Sequence, residues 1–165
     1  MGSVCFADTF YWIALIHPKD AWHGRVISWE RAHPAAQFVT TEEVLAEVLN
    51  WFAAKGSAGR VLAATGVRTI FAYATTQVLP QTTTDFHAAL SLYEARPDKE
   101  YSLVDCRSMV ALRAIGISEV LSNDHHFMQE GYTILFRKCR PAARRLRFKR
   151  PPIHSIMVSD ILFLY

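Results

Sequence analysis

Apolar positions along the chain alternate between two periods. Residues 4–7 form a short apolar run that stops at Asp8-Thr9, which predicts a buried strand ending in a polar turn. Residues 10–16 follow as a helix stopped by His17-Pro18. Asp20 then reads as the N-cap of a helix reaching about residue 32, with Trp22, Val26 and Trp29 on one stripe. Residues 37–40 form a second strand. Thr40-x-x-Glu43 has the spacing of a capping box for a helix to about residue 54, burying Val44, Leu45, Val48, Leu49 and Phe52. Gly56-Ser57 breaks the chain before an apolar helix over residues 58–74. A strand at 77–79, closed by Pro80, leads to a helix at 84–94 with Phe86, Leu90 and Tyr93 on its buried stripe. Ser102-x-x-Asp105 is a second capping box, opening a helix that ends at Gly116. Strands at 119–122 and 132–136 enclose the turn Asn123-Asp124 and a helical turn at 126–129. Five short strands alternating with helices predict an α/β fold on a mostly parallel sheet.

Beyond residue 136 the pattern changes. RKCRPAARRLRFKRPP is basic and broken by proline, and IHSIMVSDILFLY is apolar without clean periodicity. The predicted division is a domain over 1–137 and a basic, then apolar, tail over 138–165 of uncertain structure. This division also explains the charge. Residues 1–136 hold ten Lys/Arg against fourteen Asp/Glu, a net −4, whereas residues 137–165 hold eight against one, a net +7. The overall +3 therefore conceals an acidic body, which needs a cation or a local basic patch to approach a polyanion. Three cysteines, Cys5, Cys106 and Cys139, stand far apart, which argues against a disulfide framework and a thiolate zinc site. The N-terminus lacks the basic-then-apolar order of a secretory signal, and no apolar run reaches the ~20 residues of a membrane span. The expectation is a cytoplasmic protein with no membrane partner.

The chemistry lies in the acids. Asp8 and Asp124 follow strands, where ligands bind in open α/β sheets, but an aspartate there is also a favoured helix cap. Asp105 belongs to a capping box, a role compatible with facing the strand ends. Glu47 is flanked by Leu45 and Val48; it either needs a partner or a metal there, or lies at the helix margin facing water. Glu42, Glu43 and Asp85 are explained by helix first turns. Adjacent histidines such as His125-His126 project to different faces of a helix, and no H-E-x-x-H spacing supports zinc. No G-x-S-x-G elbow, Walker A motif or G-x-G-x-x-G occurs.

Four segments, FADTFYWIAL, TTEEVLAEVLN, YSLVDCRSM and LSNDHHF, stand in the order and approximate spacing of the PIN-domain ribonucleases. Over about residues 3–136 the chain resembles that family, and its VapC-type toxins in particular. The resemblance implies a three-layer α/β/α sandwich with a central, mostly parallel five-stranded sheet. It implies that Asp8, Glu47, Asp105 and Asp124 meet at the carboxyl edge of that sheet as catalytic and metal-binding residues. Thr9, Ser102 and Asn123 are expected to support them. Lys99, Arg107, Arg113 and His125 are candidates, from placement, for holding the phosphate backbone.

Clustered carboxylates repel one another, and all-oxygen ligation favours Mg²⁺ or Mn²⁺. The expected activity is metal-dependent endoribonuclease cleavage of RNA by the toxin of a toxin–antitoxin pair. A small antitoxin protein and a homodimer are the partners implied. The alternatives are a non-catalytic RNA- or protein-binding module on the same fold, and a housekeeping RNA-processing or structure-specific nuclease. Metal binding separates the first from a nuclease, and RNA against flap DNA separates substrates.

Overall fold

A computed structural model describes residues 2–137. The tail at 138–165 lies outside the described residues. The chain runs β1 (Val4–Ala7), α1 (Thr9–Ile16), α2 (His23–Ala32), β2 (Gln37–Thr41), α3 (Glu42–Ala53), α4 (Gly56–Ala72), β3 (Thr76–Leu79), α5 (Thr83–Glu94), α6 (Leu103–Ile115), β4 (Glu119–Leu121), α7 (His125–Gln129) and β5 (Thr133–Ile134). The five strands form one sheet in the order β3-β2-β1-β4-β5, with every neighbouring pair parallel. The structure is thus the α/β sandwich expected, and its sheet is wholly parallel.

The order places β1 at the centre. The chain winds outward from β1 to β3 and then returns to lay β4 against the free side of β1, in register Phe6↔Val120 and Ala7↔Leu121. That reversal is a topological switch point, where the carboxyl ends of adjacent strands diverge into helices and leave a crevice. Cys5, Phe6 and Ala7 of β1, with Val120 and Leu121 of β4, are fully buried, as covering both faces of a parallel sheet requires.

Several local readings shift in detail. Asp20 does not cap α2; its Oδ1 accepts the Trp22 N–H at 2.8 Å in a preceding turn, and the helix begins at His23. Thr41, not Thr40, caps α3, accepting from the Val44 N–H at 3.3 Å. Thr40 remains in the strand, buried, where its hydroxyl donates to the Ala7 carbonyl at 2.8 Å and accepts the Trp12 indole N–H at 3.1 Å. Leu49 is 40% exposed at the edge of the α3 stripe.

The buried stripe of α5 is Ala89 and Leu92; Phe86 and Tyr93 are exposed. Small Ala89 lets α5 lie close to α6, and that contact rotates the larger rings outward. The Ser102–Asp105 capping box forms as expected, and Gly116 ends α6 at φ 71°, a left-handed conformation that favours glycine. Gly66 of α4 faces Ile16, whose Cδ1 would lie 2.7 Å from a Cβ there, so the glycine lets α1 and α4 approach.

Candidate functional site

Asp8 stands at the crevice, one residue past β1, with only 6% of its surface exposed. It occupies the N-cap position of α1, yet its side chain makes no capping bond to the helix. Its Oδ2 instead accepts the Ser122 hydroxyl at 2.7 Å from the end of β4. The same Ser122 oxygen accepts the Asp124 N–H at 3.0 Å. One buried hydroxyl therefore ties the acid after β1 to the acid after β4, which the β1–β4 register makes possible.

The other acids close around this pair. Glu47, one turn along α3 from Glu43, takes the hydroxyl of Thr9 on its Oε2, beside Asp8. Asp124 caps α7, its Oδ1 accepting the His126 N–H at 2.9 Å. Asp105 Oδ2 accepts both the Ser102 N–H and the Ser102 hydroxyl at 2.8 Å. The His126 ring bridges toward both: Nδ1 lies 3.3 Å from Asp124 Oδ1 and 4.0 Å from Asp105 Oδ2. Among the described residues, Asp105 Oδ1, Asp124 Oδ2 and Glu47 Oε1 accept no hydrogen bond.

This crowding acts on Asp8. Burial raises its carboxyl to about 7, and the negative charges of Asp105 and Glu47 push the same way; the Ser122 hydroxyl and Thr9 backbone N–H oppose them. The three acids therefore share one electrostatic environment, and a positive charge there relieves all of them.

Thr9 and Ser102 each donate to one of the acids, whereas the Asn123 side chain makes no hydrogen bond among the described residues. Lys99 pairs with Asp98 at 3.2 Å, and His125 is exposed with its Nδ1 3.4 Å from Asp124 Oδ1. Arg107 and Arg113 are placed otherwise than expected. Arg107 is buried with its guanidinium donating to Glu43 at 3.2 Å, Asp85 at 3.1 Å and the Pro80 carbonyl at 3.3 Å. Arg113 donates to Glu130 at 2.6 Å, an acid that also takes Arg96 at 2.9 Å. Both arginines are committed to holding elements together rather than presented at the crevice.

Two contributors were missed in the sequence. Ser122 looks like any small residue at a strand end, and only its alternation partner Asn123 and the acid after it carried a signal. His126 was set aside with His125 because adjacent histidines usually diverge. At the start of the short α7 both rings instead turn to the capping carboxylate, 4.4 Å apart, and Asp124, His125 and His126 bring potential ligand atoms within 4.8 Å of one another.

Among the described residues no helix is long and apolar enough to cross a membrane. A scan against protein-family models and a search of curated proteins find no match. Among solved structures, the chain is similar to VapC20 of Mycobacterium tuberculosis, described as a sarcin-ricin loop cleaving toxin. The TM-score is 0.69 at 25% identity, covering 79% of this chain and 97% of that one.

Proposed function

We propose that the chain, whose fold is similar to that of VapC20, is a PIN-domain, metal-dependent endoribonuclease whose site is Asp8, Glu47, Asp105 and Asp124. The observation that carries this reading is the ring of contacts around Asp8. Glu47 reaches it through Thr9, Asp124 through Ser122, and Asp105 through His126 and its own field.

The residues fit a hard divalent cation. Four carboxylates supply oxygen donors, three with an oxygen that no described group bonds, and Asp8 is driven toward neutrality by burial and by the charges of Asp105 and Glu47. Asp8 and Asp105 are assigned as principal ligands, Asp124 as the residue completing the set, and Glu47 as the group orienting water or a second ion. Mg²⁺ or Mn²⁺ bound there would activate water toward phosphorus and offset charge on the leaving oxygen.

The protein's own groups do the remaining work. Ser122 holds the Asp8 carboxylate, and the Ser102 capping box holds Asp105. Thr9 holds Glu47 against α1. His125, exposed beside Asp124, is assigned here to meet a phosphate of the incoming strand. Attack by water leaves a 5′-phosphate and a 3′-hydroxyl and makes no use of the RNA 2′-hydroxyl as nucleophile.

VapC20's described target makes an RNA carrying a sarcin-ricin loop the first substrate to try. The VapC resemblance also supports a toxin role, with a small antitoxin protein as partner and a homodimer as the assembly. The purified chain is expected to cut RNA with Mg²⁺ or Mn²⁺, to stop with EDTA, and to lose cleavage in Asp8→Asn and Asp105→Asn. Undiminished cleavage by both variants would sink the site assignment, and preference for flap DNA would replace the substrate.

A further inference from the structure

Two imidazoles stand beside the acids and have no place in an all-oxygen ligand set. Asp124, His125 and His126 run consecutively from the N-cap of α7 into its first turn. Both rings turn back toward the capping carboxylate, with centroids 4.4 Å apart. His125 Nδ1 lies 3.4 Å, and His126 Nδ1 3.3 Å, from the same oxygen, Asp124 Oδ1.

Two observations separate this group from ordinary ion pairs. The first is the state of His126 Nδ1, which is closed to solvent and makes no hydrogen bond among the described residues. A buried ring nitrogen without a partner is costly, and a bound cation relieves it. The second is spacing. Zn²⁺ holds imidazole nitrogen at about 2.0–2.1 Å and carboxylate oxygen at about 2.0–2.2 Å, so tetrahedral ligation sets neighbouring ligand atoms about 3.3–3.5 Å apart. Both Nδ1–Oδ1 separations have that length, and one ligand atom from each of the three residues lies within 4.8 Å of the others. A charged imidazole bonded directly to the carboxylate would sit closer, at about 2.7–2.9 Å.

The ligands are largely held in advance. Asp124 Oδ1 accepts the His126 N–H at 2.9 Å and keeps a lone pair, while the Asp124 N–H is taken by Ser122 at 3.0 Å. His126 packs edge-on against buried Tyr101, with centroids 5.3 Å apart. The His125 side chain is 70% exposed, so it turns onto an ion without disturbing the fold. Asp105 Oδ2, 4.0 Å from His126 Nδ1 and already bonded twice by Ser102, adds negative charge nearby without joining the set.

We propose that Asp124, His125 and His126 form a second metal site, for a borderline transition cation such as Zn²⁺, with water completing the coordination. Imidazole suits such ions, whereas Mg²⁺ takes oxygen, so the two sites sort cations by ligand chemistry. They share Asp124. One consequence rests on the proposed nuclease reading: an ion held by the histidines draws Asp124 from the Mg²⁺ set and His125 from the phosphate, and so restrains cleavage.

The test titrates the full 165-residue chain, without RNA, with Co²⁺ as a spectroscopic substitute for Zn²⁺ in excess Mg²⁺. The parent is expected to develop the visible absorption of four-coordinate Co²⁺ and to lose it when Zn²⁺ is added. Asp8→Asn and Asp105→Asn are expected to keep that spectrum. His125→Ala and His126→Phe are each expected to weaken binding about a hundredfold, the upper end of what losing even a supporting partner costs. Phenylalanine keeps the ring against Tyr101 and removes the nitrogens. Circular dichroism checks the fold, and exposed His125 supplies the deciding variant should His126→Phe unfold. Absence of a four-coordinate spectrum, or its retention in His125→Ala, would overturn the proposal. So would its loss in Asp8→Asn or Asp105→Asn, which would put the ion among the carboxylates. Because no RNA enters, failure here leaves Mg²⁺-dependent cleavage standing, and failure of cleavage leaves this site standing.

Discussion

The Ser122 hydroxyl donates to Asp8 at 2.7 Å and accepts from the backbone of Asp124 at 3.0 Å, so a single buried oxygen joins the ends of β1 and β4. Ser122 is fully buried, and removing the hydroxyl leaves the Asp8 carboxylate with only the Thr9 backbone N–H as donor among the described residues. Ser122→Ala is expected to lower stability by about 1–3 kcal/mol, the cost of a buried group losing its partner. If the proposed function holds, it also weakens Mg²⁺ binding and cleavage by about tenfold, as loss of a supporting hydrogen bond to a ligand typically does. Thermal unfolding, calorimetric metal titration and RNA cleavage on one preparation separate the effects. Metal affinity equal to that of the parent would remove Ser122 from the positioning role.

Asp8 also sets a pH dependence of stability. Its carboxyl titrates near 3.8 when unfolded and at about 7 when folded, because burial and the neighbouring acids disfavour the charge. Between those values the folded state holds more protons than the unfolded one. The stabilisation by the protonated form is thus full below the unfolded value and lost as pH rises through about 7. The metal-free protein is expected to melt several degrees lower at about pH 8 than at about pH 5, with Asp8→Asn flattening most of the difference. Mg²⁺ should recover stability mainly at the higher pH, where it binds a carboxylate already ionised. A melting difference that survives in Asp8→Asn unchanged would assign the effect to other groups.

Much of the candidate site was legible because three of its acids, Asp8, Asp105 and Asp124, sit at or near the ends of elements, and element ends leave strong local signals. The runs before Asp8 and Asp124 and the capping box at Asp105 mark those ends without any knowledge of the fold. What sequence could not supply was adjacency. Asp8 and Asp124 are 116 positions apart, and only the return of β4 to the free side of β1 brings them onto one serine. The fate of Arg107 was hidden for the same reason, since its partners Glu43 and Asp85 come from two other helices. Thr40 and Thr41 differ by one position, and a period-2 strand sends that difference to opposite faces. Pattern alone assigned the cap to the wrong threonine. On α5 the largest rings suggested the buried stripe, whereas close helix packing selects the smallest residue, Ala89.

Arg107 ties three helices at one point. Its side chain is 5% exposed and donates to Glu43 of α3 and Asp85 of α5 from its place on α6, two residues past Asp105. Arg107→Ala leaves Glu43, itself 13% exposed, without its countercharge and is expected to cost about 3–5 kcal/mol, as breaking a buried pair from one side does. Arg107→Lys should recover only part of this, since an ammonium cannot span both carboxylates and the Pro80 carbonyl as the guanidinium fork does. Denaturant unfolding of the two variants measures the difference. A loss below about 1 kcal/mol in Arg107→Ala, the range of a surface pair, would show the cluster to be loosely held.

Thr40 supports the same edge from the other neighbour of β1. Its hydroxyl donates to the carbonyl of Ala7, the residue before Asp8, and accepts from the Trp12 indole, all within a region closed to solvent. Thr40→Val keeps the shape and removes the polar atom, leaving the indole N–H and one lone pair of the Ala7 carbonyl without that partner. The expected loss is about 1–3 kcal/mol of stability, read from chemical denaturation. The substitution also releases the carbonyl end of β1, so the Asp8 backbone should exchange its amide protons faster than in the parent while β4 stays protected. Unchanged exchange at Asp8 and Thr9 in Thr40→Val would mean that the β1–β2 ladder alone, paired through Phe6↔Val39, fixes the position of the acid.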